Sequence, residues 1–421
     1  MEDIEHLFRR ESGRLVSILS RIFGMRDLAL AEDVVQEAFC RALEVWSFRG
    51  VPENPSAWLM ATAKNKAFDI LRRRQTALSF ESELAYKIDT ESSLAPTIEQ
   101  FFEPKAIQDD VLRMMFSCCD PGLKEEAQVA LILHILCGFS VSEISEAFVS
   151  PHSTIEKRIT RSKKVLAACE KLFNITSPQE TSLRLRAVHR ALYLLFNEGY
   201  HGSSQEAAIR ADLCREAMRL TSILLTHPQG RTPTTYALAA LMSLNSARLP
   251  GRVDGSGNLQ SISKQDRTKW DRTLISDGMS LLEQSAAGTA LSEYHIEAAI
   301  ASIHVRATDT DQTDWKTIVT LYDRLLALRR SPIVGLNRAI AVAQLEGPER
   351  GIRELESIVD RDRLVGYPFY FAALAECELL RGCLGAARDR FRAAASLARN
   401  PMERSFFEQR LSECGIEDDA I

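Results

Sequence analysis

Between Lys157 and Lys164 the chain carries Lys157, Arg158, Arg161, Lys163 and Lys164, and no acidic residue follows before Ala168. Cations at that density suit neutralising the phosphates of a nucleic-acid backbone, although a charged helix face is as commonly just solvated. A second basic group lies upstream, where Lys64, Lys66, Arg73 and Arg74 surround Asn65, Asp69 and Arg72. Spacings of four and three put Asn65, Asp69 and Arg72 on one helix face. Such a face can grip phosphates while Asn65 or Trp58 contacts bases. A third group, Asp33, Gln36 and Glu37, forms an acidic, polar face. No Walker A loop, GxGxxG, HExxH or GxSxG elbow occurs, so an enzyme is the weakest reading. Asn197-Glu198 with Tyr200, and Asp266 with Arg267, could line a pocket, although caps and ion pairs are commoner roles for such groups.

The elements that must hold these residues are helices. Ser140 and Glu143 have capping-box spacing ahead of an apolar face of Ile144, Ala147 and Phe148. Val149-Ser150-Pro151 breaks that helix, with Ser150 expected as the next N-cap and Pro151 as the first helical residue. Ile155, Ile159 and Val165 turn the second helix towards a core and leave its cations outside. A capped helix, a turn and a basic helix make a helix-turn-helix. Upstream, Ala31 to Trp46 sets Val34, Val35, Ala38, Phe39, Ala42, Leu43 and Trp46 on one side, opposite Asp33, Gln36, Glu37, Arg41 and Glu44. Ser47 to Asn54 reads as a loop, and Asn54 caps a helix opened by Pro55. Trp58, Leu59, Thr62, Ala63, Ile70 and Leu71 form that helix's buried stripe.

The bulk numbers bound the rest. A chain of 421 residues has room for two or three domains. With 45% apolar and 26% charged residues it is an ordinary globular protein. A net charge of −5 means that any nucleic-acid contact comes from local patches rather than a global field. The nine cysteines show no zinc spacing and read as free thiols, many of them buried, in a reducing cytoplasm. The N-terminus has no apolar signal core and no run is long enough for a membrane span, so a cytoplasmic location, off the membrane, is expected.

Residues 1–75 read as one helical domain and 106–173 as a second, with Leu112, Met115, Phe116, Val129, Leu131, Ile132 and Ile135 as its core. Between them, 76–105 is an acidic linker read as extended, with Glu81, Glu83, Asp89, Glu91, Glu99 and Glu103 against Lys87. Ala31-Glu-Asp-Val-Val-Gln-Glu-Ala-Phe39, Pro55-Ser-Ala-Trp-Leu59 with Asn65, Asp69, Arg72 and Arg73, and the run Ser150 to Lys163 resemble RNA polymerase sigma factors of the extracytoplasmic-function (ECF) type. The likeness covers roughly the first 175 residues. It implies that Asp33, Gln36 and Glu37 dock on the β′ clamp helices of a core polymerase, bound through its β′ and β subunits. It implies that the Ser47–Asn54 loop and Trp58, Asn65, Asp69, Arg72 and Arg73 open and hold the minus-ten element of promoter DNA. His152, Ser153, Thr154, Lys157, Arg158 and Arg161 would then read the minus-thirty-five element from the major groove, and the linker would mimic nucleic acid in the polymerase channel. Pro151-His152-Ser153-Thr154 departs from the Gly or Ala usual before that threonine. No cofactor is implied.

Residues 180–414 read as a further all-α domain. Val334 to Val359 and Phe369 to Leu397 each give a helix, a glycine (Gly347, Gly382) and a second helix, at a step near the roughly 34 residues of a tetratricopeptide (TPR) repeat. Pro401 is expected to close the last repeat. Leu192-Tyr-Leu-Leu-Phe-Asn-Glu-Gly-Tyr200, Gln265-Asp-Arg-Thr-Lys-Trp270 and Ser331-Pro-Ile-Val-Gly-Leu-Asn-Arg-Ala339 resemble the TPR-like extension of one subgroup of these factors. That likeness implies regulation in cis and a possible protein partner for the extension. Two other readings compete: a TPR-like interaction scaffold, and a helix-turn-helix regulator acting without polymerase. Promoter binding together with core polymerase separates both from the sigma factor.

Overall fold

The computed structural model of the chain describes residues 2–81, 100–147, 150–169, 172–173, 178–202, 209–255, 257–288 and 291–414. These residues form helices with no strand among them. The one β contact is an isolated antiparallel bridge between Val253 and Leu259, so the fold is all-α as expected. None of the described helices is long and apolar enough to cross a membrane. Contacts divide the chain into two units, Met1–Leu195 and Phe196–Ile421.

The first unit opens with α1 (Glu2–Phe23), α2 (Leu28–Arg49) and α3 (Pro55–Glu81). On α2, Ala31, Val34, Val35, Ala38, Ala42 and Trp46 recur at helical spacing and are buried. Leu43, expected in that stripe, is 52% exposed, because it lies one position round the helix from Ala42. α2 also continues through Ser47 to Arg49, so the expected loop shortens to the stretch after Gly50. There φ is 76°, a conformation that glycine adopts at no steric cost. Asn54 caps α3 as the sequence indicates, its Oδ1 accepting from the Ala57 N–H at 3.0 Å. Leu59, Ala63 and Ala67 are buried, while Trp58, Thr62, Ile70 and Leu71 border them half-buried. α3 runs to Glu81, past the point where an extended linker was expected. The rest of that linker, 82–99, lies outside the described residues.

α4 (Pro104–Cys118), α5 (Glu125–Ile135), α6 (Val141–Ala147), α7 (His152–Ala168) and the first part of α8 (Pro178–Tyr200) complete this unit. Leu112, Met115, Phe116, Val129, Leu131, Ile132 and Ile135 are all buried. The capping box is made in both directions. Glu143 N–H donates to Ser140 Oγ at 3.2 Å, and Ser140 N–H donates to Glu143 Oε2 at 2.9 Å. Ile144 is buried behind it, while Phe148 and Val149 lie outside the described residues.

The start of α7 differs from expectation by one residue. Pro151 is itself the N-cap, with ψ at 138°, and its carbonyl accepts from the Thr154 N–H at 2.9 Å. The buried face is Ile155, Ile159, Ser162 and Leu166; Val165, expected inside, is 38% exposed. Ser162 fits the interior because its hydroxyl donates to the Arg158 carbonyl at 2.8 Å, so no polar group is stranded.

The helices of 1–75 and of 106–173 pack directly on one another. Arg9 pairs with Glu143 at 2.9 Å, Arg21 with Asp110 at 3.0 Å and Lys163 with Glu32 at 2.6 Å. Asp110 is fully buried, and burial raises its pKa to about 6 against the lowering effect of Arg21. A carboxyl that holds its proton more tightly folded than unfolded adds stability below pH 4 that is lost as pH rises through 6. A shift of this size corresponds to about 3 kcal/mol. Urea unfolding of wild type and Asp110→Asn between pH 4 and pH 7 should show their difference moving by about that amount towards the variant. A constant difference would mean that Arg21 keeps Asp110 ionised throughout.

The second unit contains α9 (Ala211–Thr226), α10 (Pro233–Ser246), α11 (Arg272–Ser285), α12 (Glu293–Arg306), α13 (Trp315–Leu328), α14 (Pro332–Glu346), α15 (Pro348–Glu356), α16 (Pro368–Leu380), α17 (Leu384–Ser396) and α18 (Pro401–Glu413). The two expected helix pairs form, α14 with α15 and α16 with α17, joined through Gly347 and Gly382 at φ of 94° and 74°. Leu336, Ala339, Leu355, Tyr370 and Leu374 share one core. Pro401 opens α18 rather than closing the array: Asn400 caps that helix, and its Phe407 packs with Ala387, Phe391 and Ala394. Another helix is needed there because α17 would otherwise leave Phe391 uncovered.

Candidate nucleic-acid interface

On α3, Asn65, Asp69, Arg72 and Arg73 are all exposed, so the face read from their spacing points to solvent. The neighbouring cations are already engaged. Arg74 pairs with Asp27 at 2.8 Å, and Lys66 pairs with Glu37 of α2. Trp58 stands apart from this exposed face. It is half-buried, with its ring edge-on to Trp46 at 5.5 Å, and Trp46 in turn lies against Phe8, which stacks on Phe39 at 4.3 Å. This aromatic chain fixes the angle between α1, α2 and α3. Asp33, Gln36 and Glu37 are exposed together on α2, and Glu37 pairs with Lys66.

The sequence reading missed Phe48. It is 91% exposed at the end of α2, with Leu43 and Val51 also more than half exposed nearby. Phe48 lies off the buried stripe and beside Arg49. That position would have marked it, had the helix been carried to Arg49 instead of being ended at Trp46.

On α7, His152, Ser153, Thr154, Lys157 and Arg161 are exposed and Arg158 is half-buried, so the expected reading face is presented. Lys163, expected on that outer face, turns inward. Its Nζ donates to both Glu32 oxygens, at 2.6 and 2.9 Å, and lies 3.1 Å from His134 Nε2. His134 Nδ1 lies 2.9 Å from the Phe139 carbonyl. Burial first, then Lys163, pushes the His134 pKa down, so the neutral ring donates to that carbonyl and accepts from the lysine. Lys163 lies four residues beyond the buried Ile159, and α2 brings Glu32 to meet it. The remaining cations keep a continuous outer face.

Cys118, Cys119, Cys137, Cys214, Cys377 and Cys414 are buried free thiols, and Cys40, Cys169 and Cys383 are exposed ones. Burial pushes the Cys118 thiol up to about 12, which leaves it inert as a nucleophile. Among the described residues no group of three or more His, Cys, Asp or Glu could hold a metal ion.

Residues 7–77 match the family described as Sigma-70 region 2, and residues 184–286 match a family of unknown function, DUF6596. An uncharacterized protein of Rhizobium meliloti (strain 1021) is 37% identical over 396 residues, covering 93% of this chain and 92% of that protein. The ECF RNA polymerase sigma factor SigK of Mycobacterium ulcerans (strain Agy99) is 27% identical over 161 residues, covering 37% of this chain and 79% of that protein.

Proposed function

We propose that the chain is an RNA polymerase sigma factor of the ECF type with a C-terminal helical extension, and that its parts divide the work of promoter recognition as follows. A sigma factor binds core polymerase and performs no bond chemistry of its own. In this chain Asp33, Gln36 and Glu37 meet the β′ clamp helices. Asn65, Asp69, Arg72 and Arg73 hold the minus-ten element, and Phe48 offers an exposed ring on which an unpaired base can stack. Trp58 supports that surface through Trp46 rather than reading a base. His152, Ser153, Thr154, Lys157, Arg158 and Arg161 enter the major groove at the minus-thirty-five element, with α7 as the recognition helix. The extension controls these steps in cis.

The observation that supports this reading most is the joint exposure of Asn65, Asp69, Arg72 and Arg73 within the stretch matched to Sigma-70 region 2. Transcription in vitro with purified core polymerase and promoter fragments from the source genome tests it, comparing the full chain with one ending after Leu195. The cut belongs there rather than at Phe173. Arg184 of α8 pairs with Asp120 at 3.2 Å, donates to the Phe116 carbonyl at 2.8 Å and lies 4.3 Å over Phe173, so α8 helps cover the second helical group. Promoter-specific transcripts from the full chain, changed in amount on truncation, are expected. Absence of transcripts from both, with no core association, would overturn the reading.

A further inference from the structure

Three arginines lie near one another in the second unit, with Arg248 beside both Arg252 and Arg267. The Arg248 guanidinium lies 5.6 Å from the centre of the Trp270 ring and that of Arg267 lies 5.0 Å from it. Arg248 and Arg252 flank the turn Leu249–Gly251, and Arg252 sits 4.1 Å over the Tyr200 ring. Trp270 is 3% exposed and Arg252 9%. Elsewhere in this unit arginines meet carboxylates: Arg219 with Glu216, Arg329 with Glu293, Arg338 with Asp323 and Glu354, Arg399 with Glu403. Arg248, Arg252 and Arg267 have no such pair among the described residues. Two of the nearby acids, Asp266 and Asp309, are committed to their own turns. Asp266 accepts from the Thr268 N–H at 3.0 Å and its hydroxyl at 2.6 Å, and Asp309 from the Gln312 N–H at 2.8 Å and the Thr308 hydroxyl at 3.2 Å.

The hydrogen bonds these arginines make go to neutral groups. Arg252 donates to the Tyr200 carbonyl and lies 3.3 Å from His201 Nδ1. Arg267 donates to the carbonyls of His304 at 2.9 Å and Ala307 at 2.6 Å. Those bonds cap α8 and α12, which explains the donors but gives none of the three an ion-pair partner among the described residues. Arg248 makes no cap, and its Nε is buried without a hydrogen-bond partner, as is His304 Nδ1. Burial, then Arg248 and Arg267, push the His304 pKa down to about 3, so the ring stays neutral and can donate or accept. Burial likewise lowers the pKa of Arg252 and Arg267. Buried charge is normally paired, and charge gathered without a partner points to a ligand that supplies one.

We infer that Arg248 and Arg267 around Trp270, with Arg252 beside Arg248 over Tyr200, form a binding site for a small phosphate-bearing molecule. Guanidinium forks match phosphate oxygens, and a dianion balances three neighbouring cations better than a single carboxylate does. All five residues lie in the 184–286 stretch whose family has no assigned function. The site gives the extension a chemical input, and it stands whether or not the promoter assignments above hold.

Calorimetric titration of the full chain with inorganic phosphate and with pyrophosphate, at matched ionic strength, tests the site. Saturable binding of at least one is expected, weakened about tenfold or more in Arg248→Gln. Without the anion, Arg248→Gln should melt no lower than wild type, since it removes a charge with no ion-pair partner among the described residues, whereas loss of a purely structural arginine would lower the melting temperature. Should the glutamine variant not fold, Arg248→Lys keeps the charge and loses the fork, and weaker binding is again expected. No saturable binding at millimolar concentration, or wild-type affinity in the variant that folds, overturns the inference.

Discussion

Exchanging Asp33 and Glu37 for lysine together is expected to weaken association with core RNA polymerase by about a hundredfold or more while leaving the fold intact. Both side chains are exposed and neither belongs to the buried face of α2. Folding loses only the pair between Glu37 and Lys66, which is exposed enough to contribute at most about 1 kcal/mol. Binding loses two negative charges and gains two positive ones on a surface proposed to dock on polymerase, where like charges brought together cost several kcal/mol. Titration of labelled core polymerase at several salt concentrations measures this. The loss should be largest at low salt, where screening is weakest. Wild-type affinity in the double variant would remove this face from the interface.

Gly13→Ala is expected to destabilise the first unit by about 3 kcal/mol, the reverse of its usual effect. In a helix interior alanine is favoured over glycine by up to about 1 kcal/mol. Here a Cβ on Gly13 would stand 2.2 Å from the Leu136 carbonyl oxygen and 2.8 Å from that residue's carbonyl carbon. The obstacle is backbone, which cannot rotate aside, so α1 would have to lift away from the end of α5. Arg9 and its partner Glu143, and the contact of Arg9 with Phe139 at 5.2 Å, would be pulled apart with it. Chemical denaturation compares the variants, and equal or raised stability would show that α1 and α5 do not meet this closely.

Much of the first unit was legible because its signals are local. The capping box at Ser140 and Glu143, the Asn54 cap and the exposed face of Asn65, Asp69 and Arg72 each follow from residues three or four apart. The errors are local as well. A helix end placed early at Trp46 hid Phe48, and counting Val165 as core overlooked that Ser162 could satisfy its own hydroxyl. Pro151 was misplaced by one residue because a proline with extended ψ serves as a cap as readily as it opens a helix.

By itself the sequence determined the helices, most of their buried faces and the family resemblance, since periodicity and capping depend on neighbours along the chain. Only tertiary structure decided which charges remain available. Lys163 is drawn inward by Glu32, which lies 131 residues away. Lys66 and Arg74 are taken by Glu37 and Asp27 from another helix. Arg248 reaches the Trp270 ring and Arg267 from a separate segment of the chain. A side chain's partner is set by which surfaces pack together, and that packing brings together residues that no local pattern relates.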